Sequence, residues 1–297
     1  MFDMAEMAQI IARHVPVQMM EQSAIDGLWL IRTDWPSTPV PTVYDPSLCI
    51  IVQGAKTVSI GGRDLHYDAS HYLVASVDLA LVGHVVTASP EEPYLCCKID
   101  LDPVVMAELI TGEGKALPPG APPALAVHPS DPALLDAACR LLRLLDTPQA
   151  IPALAPLIQR EILYRLLTGP HGPMLRHAAS ADSHLGQISR AIAWIRGHLR
   201  EQLHIADVAR AARMSVSSLH HHFKAITGLT PLQFHKQLRL HEARHLMMVG
   251  GLNAGSAGFA VGYESPSQFS REYRRLYGAP PKSDVVRFGL AAGAVAA

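Results

Sequence analysis

Hydrophobic and polar positions change their period along this chain. Leu48-Cys49-Ile50-Ile51-Val52-Gln53-Gly54 is an apolar run closed by a glycine, and residues 56–60 alternate before Gly61-Gly62. Residues 71–75 and 94–99 repeat the theme. Short runs bounded by Gly, Pro and Asp predict strands from about residue 25 to 101, in a small β-barrel or sandwich. The Pro/Gly stretch 117–123 reads as a surface loop. The period then becomes helical. Leu134, Leu135, Ala138, Leu141, Leu142 and Leu145 form one stripe over 132–145, and Leu154, Leu157, Ile158, Ile162 and Leu166 a second over 152–167. Such stripes bury either against the barrel or against a second subunit. Residues 169–173 stop the second helix. Beyond the small polar stretch 178–183 everything reads as helix. Ile188, Ile192, Ile195 and Leu199 mark one helix, 205–212 another, and Thr230-Pro231 opens a long one to about 249. The Ala/Gly/Val-rich tail beyond Phe288 is expected to be disordered.

Within the helical half one pattern is written twice, 50 positions apart. Ser215, Leu219, Phe223, Lys224, Gly228 and Pro231 recur as Ser265, Phe269, Tyr273, Arg274, Gly278 and Pro281. A repeat marks one supersecondary unit used twice. Each serine stands where a helix N-cap belongs, and the i, i+4, i+8 row beyond it faces a core. The opposite face then carries Ser217, Ser218, His220 and His221 in the first unit, and Ser267, Gln268, Ser270 and Arg271 in the second. In a helix-turn-helix this second helix enters the major groove of DNA. Arg can pair bidentately with guanine and Gln with adenine, whereas Ser and His read less sharply or meet phosphate. Lys224 and Arg274 edge the two helices with positive charge.

Charge separates the halves in the same way. The 297 residues carry a formal net charge of −1, yet up to Asp182 there are 11 Lys and Arg against 20 Asp and Glu, and beyond it 14 against 6. A basic domain beside an acidic one points to a polyanion partner for the second part. The four cysteines form no C-x-x-C pair, which fits reduced thiols in a cytoplasmic setting. Neither a signal-peptide pattern nor an apolar run long enough for a membrane span is present, so no membrane partner is expected. His220-His221-His222 cannot chelate one metal from a regular helix, because adjacent residues diverge by about 100°. Contact with the groove edge, or a pH-sensitive contact to phosphate, remains open for them.

On these residues the segment from about Ser183 to Phe288 closely resembles the DNA-binding domain of the AraC/XylS regulators. The match runs through Ile205-Ala206-Asp207-Val208-Ala209, Gly228-Leu229-Thr230-Pro231, Arg239-Leu240, Val261-Gly262-Tyr263-Glu264-Ser265 and Gly278-Ala279-Pro280-Pro281. The resemblance implies seven helices, two helix-turn-helix units and a rigid linker helix. By position it implies base contacts from Ser217, His220 and His221, and from Ser267, Ser270 and Arg271. Two departures stand out. Gly255 and Gly258 weaken the helix before the second turn by roughly 1 kcal/mol each, so that unit is expected to be loosely held until DNA orders it. The histidine trio replaces mixed polar residues. Residues 46–56 and 156–167 resemble the sensor domain of one AraC-family subgroup. That implies a cupin-like β-barrel followed by dimerisation helices, and some relatives respond to small aldehydes.

The barrel shows no catalytic set. A metal-binding cupin needs H-x-H with a downstream Glu and a third His, and His66, His71 and His84 do not supply it. No metal and no cofactor are expected. Cys49, in an apolar strand, is either an inert core thiol or, if accessible, a nucleophile for a soft electrophile. Tyr44, Trp29 and Tyr72 are candidate pocket walls. The expectation is an α+β chain: a cupin-like sensor and dimerisation barrel with two following helices at 1–182, an all-α DNA-binding domain with two helix-turn-helix units at 183–288, and a disordered tail at 289–297. It is expected to be a transcription regulator, an activator rather than an enzyme. Its expected partners are double-stranded DNA, a small-molecule effector bound near Tyr44, Cys49 and Tyr72, a second copy of the chain, and RNA polymerase. The alternatives are a cupin-like enzyme fused to a DNA-binding module, and a barrel that only dimerises.

Overall fold

The computed structural model describes residues 3–113, 117, 120, 122–248 and 250–286. The expected tail at 289–297 and part of the expected loop at 117–123 lie outside the described residues. The chain folds as an α+β molecule whose strands precede most of its helices. β1 (Met19–Gln22), β2 (Leu28–Thr33), β9 (Tyr94–Asp100), β4 (Ser47–Gln53), β7 (His71–Ala75) and β10 (Leu125–Pro129) make one antiparallel sheet in that order. β3 (Val40–Tyr44), β8 (Leu79–Thr87), β5 (Ala55–Ile60) and β6 (Arg63–Asp68) make the second. The two sheets enclose a lumen that is filled by side chains. Gly61 and Gly62, at φ 57° and 81°, turn β5 into β6 as their sequence predicts.

The larger sheet is apolar on both faces, which explains why β4 reads as a continuous hydrophobic run rather than an alternation. Its outer face is covered by α1 (Met4–His14) and α3 (Pro132–Arg143). α1 was not foreseen. It begins at the N-cap Asp3, buries Met7, Ile10 and Ile11, and is pinned when Arg143 donates to both Glu6 carboxylate oxygens at 2.7 and 2.6 Å. α2 (Pro103–Glu113) and α5 (Gly172–Ala179) were also unforeseen. α4 (Ile151–Thr168) packs on α3 and ends where residues 169–173 predict.

The helical half begins at α6 (His184–Gly197), whose N-cap Ser183 accepts from the Gly186 amide. α7 (Ile205–Ala211), α8 (Val216–Thr227), α9 (Pro231–Met248), α10 (Ala254–Ala260) and α11 (Pro266–Tyr277) follow, and 281–286 is helical. With that segment the half holds the seven helices that the resemblance implies. It docks on one end of the barrel. Arg196 of α6 pairs with Asp45, beside β3, and with Asp78, before β8, the latter at 2.5 Å. α9 packs on β3 and β8, and Gly228 touches the Gly61 turn.

Candidate nucleic-acid interface and effector lumen

Each reader helix is built by the same local chemistry. The Ser215 hydroxyl accepts from the Ser218 amide at 3.2 Å, and the Ser265 hydroxyl from the Gln268 amide at 3.3 Å. Leu219 and Phe223, and Phe269 and Tyr273, are fully buried, so α8 and α11 each turn one row inward. Gly228 and Gly278 close them in the left-handed conformation at φ 76° and 75°, which glycine adopts without a Cβ penalty. In the first unit the turn is made by Arg213, a non-glycine residue at φ 55°.

The outward faces carry the expected side chains. Ser217, His220, His221 and Lys224 are exposed on α8, and Ser267, Gln268, Ser270, Arg271 and Arg274 on α11. Arg213 and Arg275 join them. His222 does not belong with His220 and His221. Its ring stacks on His184 of α6 with centroids 3.6 Å apart, and burial pushes its pKa down. Gln268 is partly committed, since its amide donates to Glu272 at 3.2 Å. Among the described residues no group of three potential metal ligands is found.

Several basic residues of the helical half face inward instead. Arg239 of α9 donates to the carbonyls of Leu199 at 2.6 Å and Glu201 at 2.7 Å, and to Gly262 in the second turn at 3.2 Å. One planar guanidinium thereby ties both units together. Glu272 accepts from Tyr263, Lys236 and Gln268. Burial alone raises its carboxyl, but these donors outweigh it and hold it below its usual range. Arg244 and Tyr273 both donate to buried Asp284, at 2.8 and 2.6 Å. Arg239, Arg244 and Lys236 all lie on α9. Their partners lie 23 to 40 residues away, so no local signal names them.

The second unit is capped and packed. Asn253 caps α10 through the Ser256 amide, and the Phe269 ring packs on Gly258 so closely that a Cβ there would sit 3.0 Å from it. Gly258 thus provides the packing surface for α11, whatever helix propensity it gives up.

The three residues expected near an effector do not share one space. Tyr44 and Cys49 face the lumen, where the Tyr44 phenol and the Cys49 thiol are close enough to influence each other. Tyr72 is paired in register with Ile50, on the other face of β4 and β7. Its ring meets His171 at 5.0 Å, outside the lumen. Trp29 donates to Asp100 at 2.9 Å and lies under the Lys98 ammonium. Cys96 faces the lumen and Cys97 the helices. The Cys96 hydrogen bond lowers the Cys49 pKa against the effect of burial, while Cys96 itself is pushed up.

Residues 24–174 match the N-terminal domain of AraC-type transcriptional regulators, and 208–284 match a helix-turn-helix domain. The chain belongs to the AraC family of transcriptional regulators. It is similar to transcriptional activators. The HTH-type transcriptional activator RhaS of Escherichia fergusonii is 29% identical over 145 residues, 48% of this chain and 51% of that one. RhaS of Citrobacter koseri is 30% identical over 133 residues, 44% and 46% of the two chains. The aligned region thus spans about half the length of these relatives. Apo ToxT from Vibrio cholerae superposes over 89% of this AraC-family chain and 99% of its own, with a TM-score of 0.63 at 11% identity. ToxT with a bound unsaturated fatty acid gives 0.58 at 11% identity, over 87% and 93%. At that identity the likeness shows the shared fold.

Proposed function

We propose that this protein is a ligand-responsive, sequence-specific DNA-binding activator. The observation that carries this is the pair of serine-capped helices, α8 and α11, held in one body by Arg239. Ser217, His220 and His221 on α8, and Ser267, Ser270 and Arg271 on α11, meet base edges. Lys224 and Arg274 neutralise phosphates, and Gln268 reads only as far as Glu272 releases it. The two helices enter successive major-groove segments of one DNA face. Binding weakens steeply with salt as condensed counterions are released.

The rest of the assembly follows from the exposed surface. Leu157 of α4 and Val104 of α2 are 64% and 66% exposed, and Leu154 and Tyr164 join them. This apolar face takes a second copy of the chain, so that a homodimer reads two such sites. Leu157→Asp is expected to shift sedimentation toward the monomer; an unchanged mass removes this face from the dimer. The effector acts from the lumen beside Tyr44 and Cys49, and the DNA-bound dimer acts on RNA polymerase in the cytoplasm. Among the described residues no helix is long and apolar enough to cross a membrane.

The test is selection of genomic fragments by the full-length protein at physiological salt. A motif of two boxes about 10 bp apart is expected. Enrichment of a single box, or none over bulk DNA, defeats the two-reader reading.

A further inference from the structure

The lumen holds a lysine with no carboxylate paired to it among the described residues. Lys56 of β5 pairs in register with Tyr67 of β6, and directly paired residues share a face of the sheet. That face is the inner one, since Tyr67 is 1% exposed while Thr57 and Ser59 reach His66 and Asp64 on the outside. Across the lumen stand Cys49 of β4, and Tyr94 and Cys96 of β9. The Lys56 ammonium lies 5.2 Å from the centre of the Tyr44 ring. Gly83 of β8 leaves room for its stem: a Cβ there would sit 3.3 Å from Lys56 Cε. Lys56, Tyr67 and Tyr94 all have Tyr44, Cys49 and Cys96 as neighbours.

No carboxylate among the described residues pairs with Lys56. Lys98 differs, because Asp100 and Asp45 accompany it. Burial pushes the phenols of Tyr44, Tyr67 and Tyr94 up, so all three stay neutral and able to donate. The Tyr67 hydroxyl is buried without a hydrogen-bond partner, and the Tyr94 hydroxyl has only the Cys96 thiol, a weak acceptor. An unmet buried hydroxyl is costly to hold away from water, and so is an ammonium whose neighbours are only the Tyr44 phenol and two thiols. Around Lys56 the lumen therefore offers a cation and weakly used donors among thiols and neutral phenols, while the Asp100 carboxylate of that face is taken by Lys98 and Trp29. Water satisfies a hydroxyl, but it does not neutralise an ammonium.

Resting on the reading of this protein as effector-responsive, we propose that the lumen binds a small organic carboxylate, its oxyanion held by Lys56 and by the hydroxyls of Tyr67 and Tyr94. The apolar remainder of the ligand lies against Cys49, Cys96 and the Tyr44 ring. This differs from the aldehyde that the family resemblance implies, because an aldehyde supplies no negative charge. Side chains fill the lumen, so the ligand enters by parting them. Trp29, under Lys98 at the same inner face, reports that movement through its fluorescence.

The test uses the full-length protein at neutral pH with probes of matched shape: benzoate, benzyl alcohol and benzaldehyde, then octanoate and octanol. A saturable rise in melting temperature and a Trp29 signal are expected with one or both acids. Affinity is expected to fall at least about tenfold in Lys56→Met. It is also expected to fall in Tyr67→Phe and Tyr94→Phe, which keep the rings and remove only the hydroxyls, so the test survives if Lys56→Met fails to fold. Equal stabilisation by acid and alcohol, unchanged affinity in folded variants, or no stabilisation by either acid overturns the proposal. A benzaldehyde mass adduct on Cys49 without acid binding overturns it in favour of covalent sensing. Acid binding that leaves DNA selection unchanged supports the lumen site and removes the effector-responsive reading instead.

Discussion

Gly255 and Gly258 show how one residue type has two meanings in one short helix. Both look like helix weakeners in sequence, and only contact separates them. Gly255 is open, with only the Asn253 side chain within 3.4 Å of a new Cβ, so Gly255→Ala is expected to gain up to about 1 kcal/mol of helix propensity. Gly258→Ala forces its methyl into the Phe269 ring and is expected to cost about 1–3 kcal/mol. Hydrogen exchange of the amides over 253–278 checks both: slower in the first variant, faster in the second. The same behaviour in both would mean that the ring contact does not govern this unit. Arg271 is legible without structure, because it is exposed and follows a capped turn. Arg271→Ala is expected to cost ~1–3 kcal/mol and to relax base preference in one box. Anisotropy titrations over base-substituted sites decide; uniform loss on every sequence makes Arg271 a phosphate contact.

At the scale of elements, patterning placed the strands around Leu48–Gly54, the stripes of α3 and α4, and both reader helices. It missed α1, α2 and α5. α2 carries apolar residues all round, so it offers no one-sided stripe to detect, and α5 sits directly behind a helix stop that draws the eye. Pattern also could not fix how the two units sit together. That is the work of Arg239, whose fork reaches carbonyls of both. Each charge-assisted bond to a carbonyl contributes about 1.5–3 kcal/mol. Arg239→Ala is therefore expected to weaken binding to a two-box site by tenfold or more (about 1.4 kcal/mol), with little change on a single-box fragment. Arg239→Lys is not expected to rescue it, since an ammonium cannot span three carbonyls in one plane. Equal loss on both fragments would assign Arg239 to general stability.

The whole molecule stores a dependence on acid. Burial pushes His171 down to about 3, and His235 and His241 to about 4. Their folded pKa values lie below the unfolded one, so their contribution is present above about pH 6.5 and is lost as pH falls toward 4. Asp78 opposes them. Burial raises it to about 6 despite Arg196, so the folded state takes up one proton there before the unfolded state does. Three histidines against one aspartate leave about two protons net, or about 2–3 kcal/mol of stability lost per pH unit near pH 5. Thermal melts between pH 7.5 and 4.5 are expected to show that slope, reduced by about one proton in His171→Leu. A flat profile would mean that these rings are solvated.

Sequence alone determined the class of each half and which side chains of the two capped helices point outward. Helix and strand periods, N-cap serines and cap glycines act over four or five positions, and an outward face needs no distant partner to be recognised. The tertiary structure decided everything that depends on pairs far apart in the chain. It turned Arg239 and Arg244 inward, made Gly258 a packing surface, set His222 on His184 and moved Tyr72 out of the lumen. It also brought Lys56 among Tyr44, Tyr67 and Tyr94, with no acid beside it among the described residues. Burial and the absence of a counter-charge are properties of what surrounds a side chain, and those surroundings exist only once the strands have closed.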